Sequence, residues 1–190
     1  MARERKFTDE QLFNATKKMI INDGYEAFTF SRLAAVLHVS RGSIYKYYEN
    51  KDELISEFLM YEMNRFLHDF QGLDISRDFE EQVEQLIDFI FKHSNIHHVM
   101  EIIHQIPNNT TQRAKRNKLK LNEYHIEMYQ RFQGFLDIGR SQQKLKKQLP
   151  DGIILGMIFQ TIAIPNHFGI AQEIWITSIK EIICNGMIEK

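Results

Sequence analysis

Apolar residues recur at three- and four-residue spacing along almost the whole chain, and no run of alternating β-branched residues is sustained anywhere. That period gathers side chains on one face of an α-helix and does not suit a half-buried strand. The expectation is an all-α protein with nine helices. The first opens at Thr8, whose hydroxyl caps it while Gln11 reciprocates three residues on, and its buried stripe is Leu12, Phe13, Thr16, Met19 and Ile20. Asn22-Asp23-Gly24 is expected to end it. A second, shorter helix follows Thr29 and turns Leu33, Ala34 and Leu37 inward; a third starts at Ser40. A fourth, with Asn50 and Glu53 as its capping pair, runs through Leu54, Phe58, Tyr61 and Phe66 towards Gly72. Ser76 is expected to open the fifth, Pro107 closes the sixth, and the seventh extends from about Thr110 towards Gly139. After a polar connection, Asp151 opens the eighth and Ala171 marks the start of the ninth.

Charge narrows the partners only when it is divided along the chain. The whole carries a net charge of -1, which favours neither nucleic acid nor membrane. Residues 1–51, however, hold nine basic and six acidic side chains, a net of +3, and leave -4 for the rest. The single cysteine, Cys184, excludes an internal disulfide and suits a reducing cytoplasm. Among Ile182, Ile183, Met187 and Ile188 it reads as a small buried hydrophobe. The opening "MARERKFTDEQ" lacks the apolar stretch of a secretory signal. The most apolar run, Ile153 to Ile164, is interrupted by Gln160 and Thr161 and is shorter than the roughly 18 residues a membrane span needs.

The stretch "HVSRGSIYKYYENKDEL", residues 38–54, is polar at its entrance and aromatic at its exit. Two short helices joined by a tight turn and preceded by a supporting helix are the parts of a helix-turn-helix. In that arrangement Ser40 caps the third helix and leaves its amides facing a phosphate. Gly42 keeps the entrance thin, Arg41 and Lys46 supply charge, and Ser43 donates to phosphate or base. Ile44 points inward, and Tyr48, one turn along, shares that face. Tyr45 and Tyr47 lie off it, where a ring meets a thymine methyl or sugar and its hydroxyl reaches phosphate. Lys51 adds a backbone contact.

The run from Gly24 to Leu54 resembles the N-terminal domain of the TetR family of transcriptional regulators. Gly24, Thr29, Leu33-Ala34, Val39-Ser40, Gly42, Tyr45, Tyr47, Lys51 and Leu54 carry the resemblance at the family's spacing, without a gap. His38 stands where the family usually has glycine, and Phe28-Thr29 replaces a common Thr-Thr pair, which keeps the cap and loses one hydroxyl; Thr29 is expected among the DNA-binding residues, with Ser31 and Arg32 adding phosphate contacts. Tyr48 replaces a usual phenylalanine.

The resemblance implies a helix-turn-helix DNA-binding domain over 1–51 and a helical ligand-binding and dimerisation domain over 52–190. It implies a ligand-responsive homodimer that binds a palindromic double-stranded operator, most often as a repressor, and is released by an apolar small-molecule inducer. A regulator of the same fold controlled by a protein partner, or by no effector, is the alternative. Phe58, Tyr61, Met100, Tyr124, Met128, Phe132 and Phe159 are the candidate ligand lining. The eighth helix is apolar nearly all round and requires burial on more than one side. Ile154, Ile158 and Ile162, with Trp175, Ile179 and Ile183 of the ninth, are the expected dimer interface, and Gly152 and Gly156 allow close approach. His93, His97, His98 and His104 read as a solvated face, and Arg113, Lys115, Arg116, Lys118 and Lys120 as a solvated basic run. No cofactor, metal, membrane association or enzymatic activity is expected: nucleophile triads and glycine-rich phosphate loops are not signalled.

Overall fold

The computed structural model describes residues 6–74 and 76–189, excepting the side chains of 97–99. Among the described residues there are nine α-helices and no strand: α1 (Asp9–Ala27), α2 (Phe30–Val36), α3 (Arg41–Tyr45), α4 (Lys51–Gln71), α5 (Phe79–Lys92), α6 (Asn95–Glu101), α7 (Gln112–Ser141), α8 (Asp151–Gln160) and α9 (Gln172–Met187). Short 3-10 turns, Ile102–Gln105 and Thr161–Ala163, extend α6 and α8. The chain forms two compact units. One comprises Met1–Arg65 with Asn95–Tyr124, the other Phe66–Ser94 with His125–Lys190.

In the first unit α1 begins with the expected reciprocal cap: Gln11 N donates to Thr8 Oγ1 at 3.1 Å and Thr8 N to Gln11 Oε1 at 2.9 Å. Its predicted stripe is buried in full. The helical geometry breaks at Gly24, as the sequence suggested. Gly24 adopts φ 78° and ψ 175°, a region closed to L side chains, and one further helical turn follows to Ala27. The kink turns Tyr25 into the core, where it is 4% exposed.

Thr29 caps α2 by accepting from Arg32 N at 3.3 Å. The turn after it runs through His38 at φ 53°, the left-handed conformation that histidine tolerates better than most residues. Leu33 and Ile44 are fully buried and Leu37 half-buried. At the start of α4, Asn50 Oδ1 accepts from Glu53 N at 3.0 Å, while Glu53 Oε2 accepts from Glu49 N at 2.9 Å.

The second unit is organised by aromatic packing. Phe132 meets Phe70 and Phe159 at ring separations of 4.7 and 4.6 Å, and Phe66 packs on Phe89 at 4.8 Å. Phe79 stacks on Phe135 at 5.2 Å and presses against the backbone of Gly139. α5 is opened by Asp78 and not by Ser76: Asp78 Oδ1 accepts from Glu80 N at 2.9 Å, while Ser76 is drawn into a turn by donating to Asp74 at 2.6 Å. Arg140 donates to the carbonyls of Lys146 and Leu149 and to Asp151 at the first turn of α8, which closes the connection between the helices. Cys184 is buried as expected; burial, followed by the nearby Glu80, Glu84 and Glu181, pushes its thiol up to about 11.

Candidate nucleic-acid interface

α3 has five residues and one anchor. Ile44 is fully buried, and Tyr48, 2% exposed, continues that inward face beyond the helix, as the angular reading required. What remains outward is the set expected at DNA. Ser40, Arg41, Gly42 and Lys46 are exposed, Ser43 is half-buried, and Tyr45 and Tyr47 are 46% and 38% exposed.

The outward rings are buttressed from beneath. Phe30 meets Tyr45 edge-on at 4.9 Å, and Phe7 meets Tyr47 edge-on at 6.0 Å. Arg41 lies over the Tyr45 ring at 5.1 Å and donates to its hydroxyl at 3.2 Å. A guanidinium on an aromatic face is held without losing its outward donors. Ser40 departs from expectation: it occupies the cap position, but its hydroxyl bonds Ser43 Oγ at 2.9 Å and makes no bond to a backbone amide.

Other predicted contact residues are engaged inside the fold. Arg32 donates to the Ala27 carbonyl at 2.9 Å and to Asp23 at 2.5 Å. Thr29 is occupied as a cap, while Ser31 stays exposed. Lys51 donates to the Tyr25 carbonyl at 3.0 Å and sits 4.0 Å from that ring's centroid. Tyr25 in turn donates to the buried carboxylate of Asp52 at 2.6 Å; burial first, then Asp52, pushes its phenol well above the usual range. Lys51 and Tyr25 thus join the kinked end of α1 to the head of α4.

Sequence reading missed Phe7, Phe30 and Arg113. Phe30 reads as ordinary core from its neighbours, and nothing local marks Phe7. Arg113 was placed in a solvated basic run, but it donates to the Tyr47 carbonyl at 2.9 Å and pairs with Glu57. Lys118 likewise turns back, donating to the Ile106 carbonyl at 2.8 Å.

The candidate ligand residues divide between the units. Phe58 is fully buried against Phe13, and Tyr61, Met100 and Tyr124 are half-buried in the first unit. Met128, Phe132 and Phe159 belong to the second, where Phe132 is committed to the aromatic cluster. Of the expected dimer residues, Ile154, Ile158, Ile179 and Ile183 are covered by their own chain, and Ile162 and Trp175 are half-buried. The open apolar face of the same helices is Ile153, Met157, Ile174 and Ile182, each more than half exposed. His93 sits 3.2 Å from Asp69 among Phe66 and Phe89; the side chains of His97 and His98 lie outside the described residues.

Residues 12–58 match the family "Bacterial regulatory proteins, tetR family". That N-terminal region is a TetR-family domain. The match takes in the helix-turn-helix and the first turns of α4, so the TetR-like region is the part that presents Arg41, Tyr45 and Tyr47. An HTH-type transcriptional regulator of Haemophilus influenzae is 32% identical over 78 residues, which cover 40% of this chain and 42% of that protein. The ketosteroid transcriptional regulator KstR2 of Mycobacterium tuberculosis superposes with a TM-score of 0.73 at 16% identity, covering 100% of this chain and 98% of that one. The regulator FadR of Bacillus subtilis, in complex with stearoyl-CoA, does so with a TM-score of 0.66 at 18% identity, covering 94% and 99%. At those identities the likeness is one of fold. No helix among the described residues is long and apolar enough to cross a membrane.

Proposed function

We propose that the chain is a homodimeric DNA-binding transcriptional repressor of the cytoplasm, acting at a two-fold operator and released by a small apolar inducer. The observation that carries this reading is the outward face of α3. Arg41 and two tyrosines stand exposed on a helix whose opposite side is fixed by Ile44, and aromatic buttresses keep the rings outward. A fold gains little by leaving that much aromatic surface in water unless another surface covers it. Arg41 is suited to a guanine edge, and the tyrosines to phosphate, sugar or a thymine methyl.

Pairing is supported by the open apolar face of α8 and α9. Ile153, Met157, Ile174 and Ile182 are exposed, and on α8 Gly156 stands beside Met157 with nothing near the place a Cβ would take, so a second copy can approach closely there. Such a dimer presents two α3 helices to major grooves roughly 34 Å apart. The inducer rests on the resemblance to ligand-responsive regulators and on the stearoyl-CoA in the B. subtilis FadR structure. An inducer acts by favouring a spacing of the two α3 helices that no longer fits the operator.

The test is the affinity of the purified chain for the duplex upstream of its own gene against a scrambled duplex of equal length, at near-physiological salt. A preference of about a thousandfold, falling steeply as salt is raised, is expected. Equal affinity for both duplexes across a survey of intergenic DNA contradicts the reading.

A further inference from the structure

Thr110, just before α7, and Arg113 and Asn117 in its first turns all reach the head of α4. Thr110 donates to Asp52 at 2.6 Å, Arg113 pairs with Glu57, and Asn117 donates to Ser56 at 3.0 Å. Ala114 and Leu121, on that face of α7, are buried. The spacing of 113–114, 117 and 121 is one stripe of α7, so this is a built contact face and not a chance meeting of surface charges.

Arg113 does more than join α7 to α4. Its Nη1 donates to the Tyr47 carbonyl at 2.9 Å, just beyond the last residue of α3, and its guanidinium lies 5.1 Å from the centroid of the Tyr48 ring. Its Nη2 pairs with Glu57, whose other oxygen accepts from the Tyr48 hydroxyl at 3.3 Å, and Glu53 lies 3.9 Å away. One planar group therefore touches a carbonyl at the exit of α3, the ring that anchors that exit and two carboxylates of α4. A short helix leaves most of its terminal carbonyls without helical partners, so its exit is fixed by whatever donates to them. A lysine offers a single point charge and cannot satisfy carbonyl, ring and carboxylates together.

We propose that Arg113 is a positioning residue for DNA reading: it clamps the exit of α3 to α4 and so fixes the tilt at which Arg41, Tyr45 and Tyr47 are presented. It acts through Tyr47 and Glu57 and does not itself touch DNA. The proposal rests on the DNA-binding reading above for its consequence, and on the geometry alone for the clamp.

Two measurements on Arg113→Met in the full-length protein test it. In the DNA-free protein, amide hydrogen exchange over residues 44–50 should quicken while α5 and α9 exchange as in the wild type. On the upstream duplex, specific affinity should fall about tenfold, with the slope of log affinity against log salt unchanged. A lost phosphate contact would instead lower that slope by about one. Unchanged exchange over 44–50 overturns the clamp, and a reduced salt slope with unchanged exchange makes Arg113 a DNA contact. If the wild type shows no preference for any duplex, the regulator reading fails, and the exchange result still decides the clamp. Should Arg113→Met lose its helical signal, Glu57→Gln removes the same anchor and must loosen the same residues.

Discussion

Tyr25 and Asp52 share a hydrogen bond of 2.6 Å that joins the turn beyond the Gly24 kink to the first turn of α4. Asp52 is 8% exposed and receives a second donor, Thr110, at 2.6 Å. Tyr25→Phe keeps the ring and leaves a buried carboxylate short of a partner, which should cost about 2 kcal/mol in chemical unfolding. The raised phenol pKa adds a signature. The folded state holds this proton more tightly than the unfolded chain, so the contribution is fully present below about pH 10 and is lost as pH climbs beyond it. The gap between wild type and variant should therefore narrow in alkali. A variant as stable as the wild type at neutral pH contradicts the network.

Gly139 is required by close approach. A Cβ built there would stand 2.3 Å from Phe79 Cζ, and that ring is fully buried against Phe135. Gly139→Ala should destabilise by about 1–3 kcal/mol. Adding Phe79→Leu should restore part of the loss in the double variant, and two losses that simply add would show that the ring is not what the new methyl meets.

How much of this was legible in the sequence depends on whether the deciding contact is local. The nine helices, the Thr8 cap and the inward turn of Ile44 and Tyr48 follow from spacing and residue chemistry within a few positions, while the left-handed backbone at His38 was legible only through the family resemblance, which puts glycine there. Ser76 and Asp78 are both plausible caps, and composition does not reveal which takes the extended backbone. Arg113 sits in a run of basic residues that reads as solvated, because the carbonyl and carboxylates it meets come from elements more than fifty residues away in sequence. α8 is apolar nearly all round, so the sequence calls for burial on more than one side without showing which face its own chain covers. Its own chain takes Ile154 and Ile158, and the outward face falls to Ile153 and Met157.

That outward face makes its own prediction. Ile182 is 68% exposed in the single chain, so Ile182→Glu should leave folding within about 0.5 kcal/mol of the wild type. By sedimentation the wild type should be a dimer and the variant largely a monomer. A variant that stays dimeric places the interface elsewhere.

Asp151 marks a pH-sensitive join in the second unit. Hydrogen bonds from Gln133 and then Arg140 hold its carboxyl below the usual carboxylate range. Because the folded value is depressed, the stabilisation is present above the unfolded value near pH 4 and is lost as pH falls through the folded one. Asp151→Asn should cost about 1 kcal/mol at pH 7. Wild type and variant should draw together as pH falls below the unfolded value, and a gap that does not shrink at all in acid contradicts the pairing.

The central claim is that the outward face of α3 reads DNA, and the most direct measurement is an anisotropy titration of the operator duplex with wild type, Arg41→Ala and Tyr45→Ala. Both side chains are exposed, so neither truncation should unfold the protein. Each should lose about 1–3 kcal/mol of operator affinity, with binding to scrambled DNA changing far less. Wild-type affinity in both variants would contradict the account.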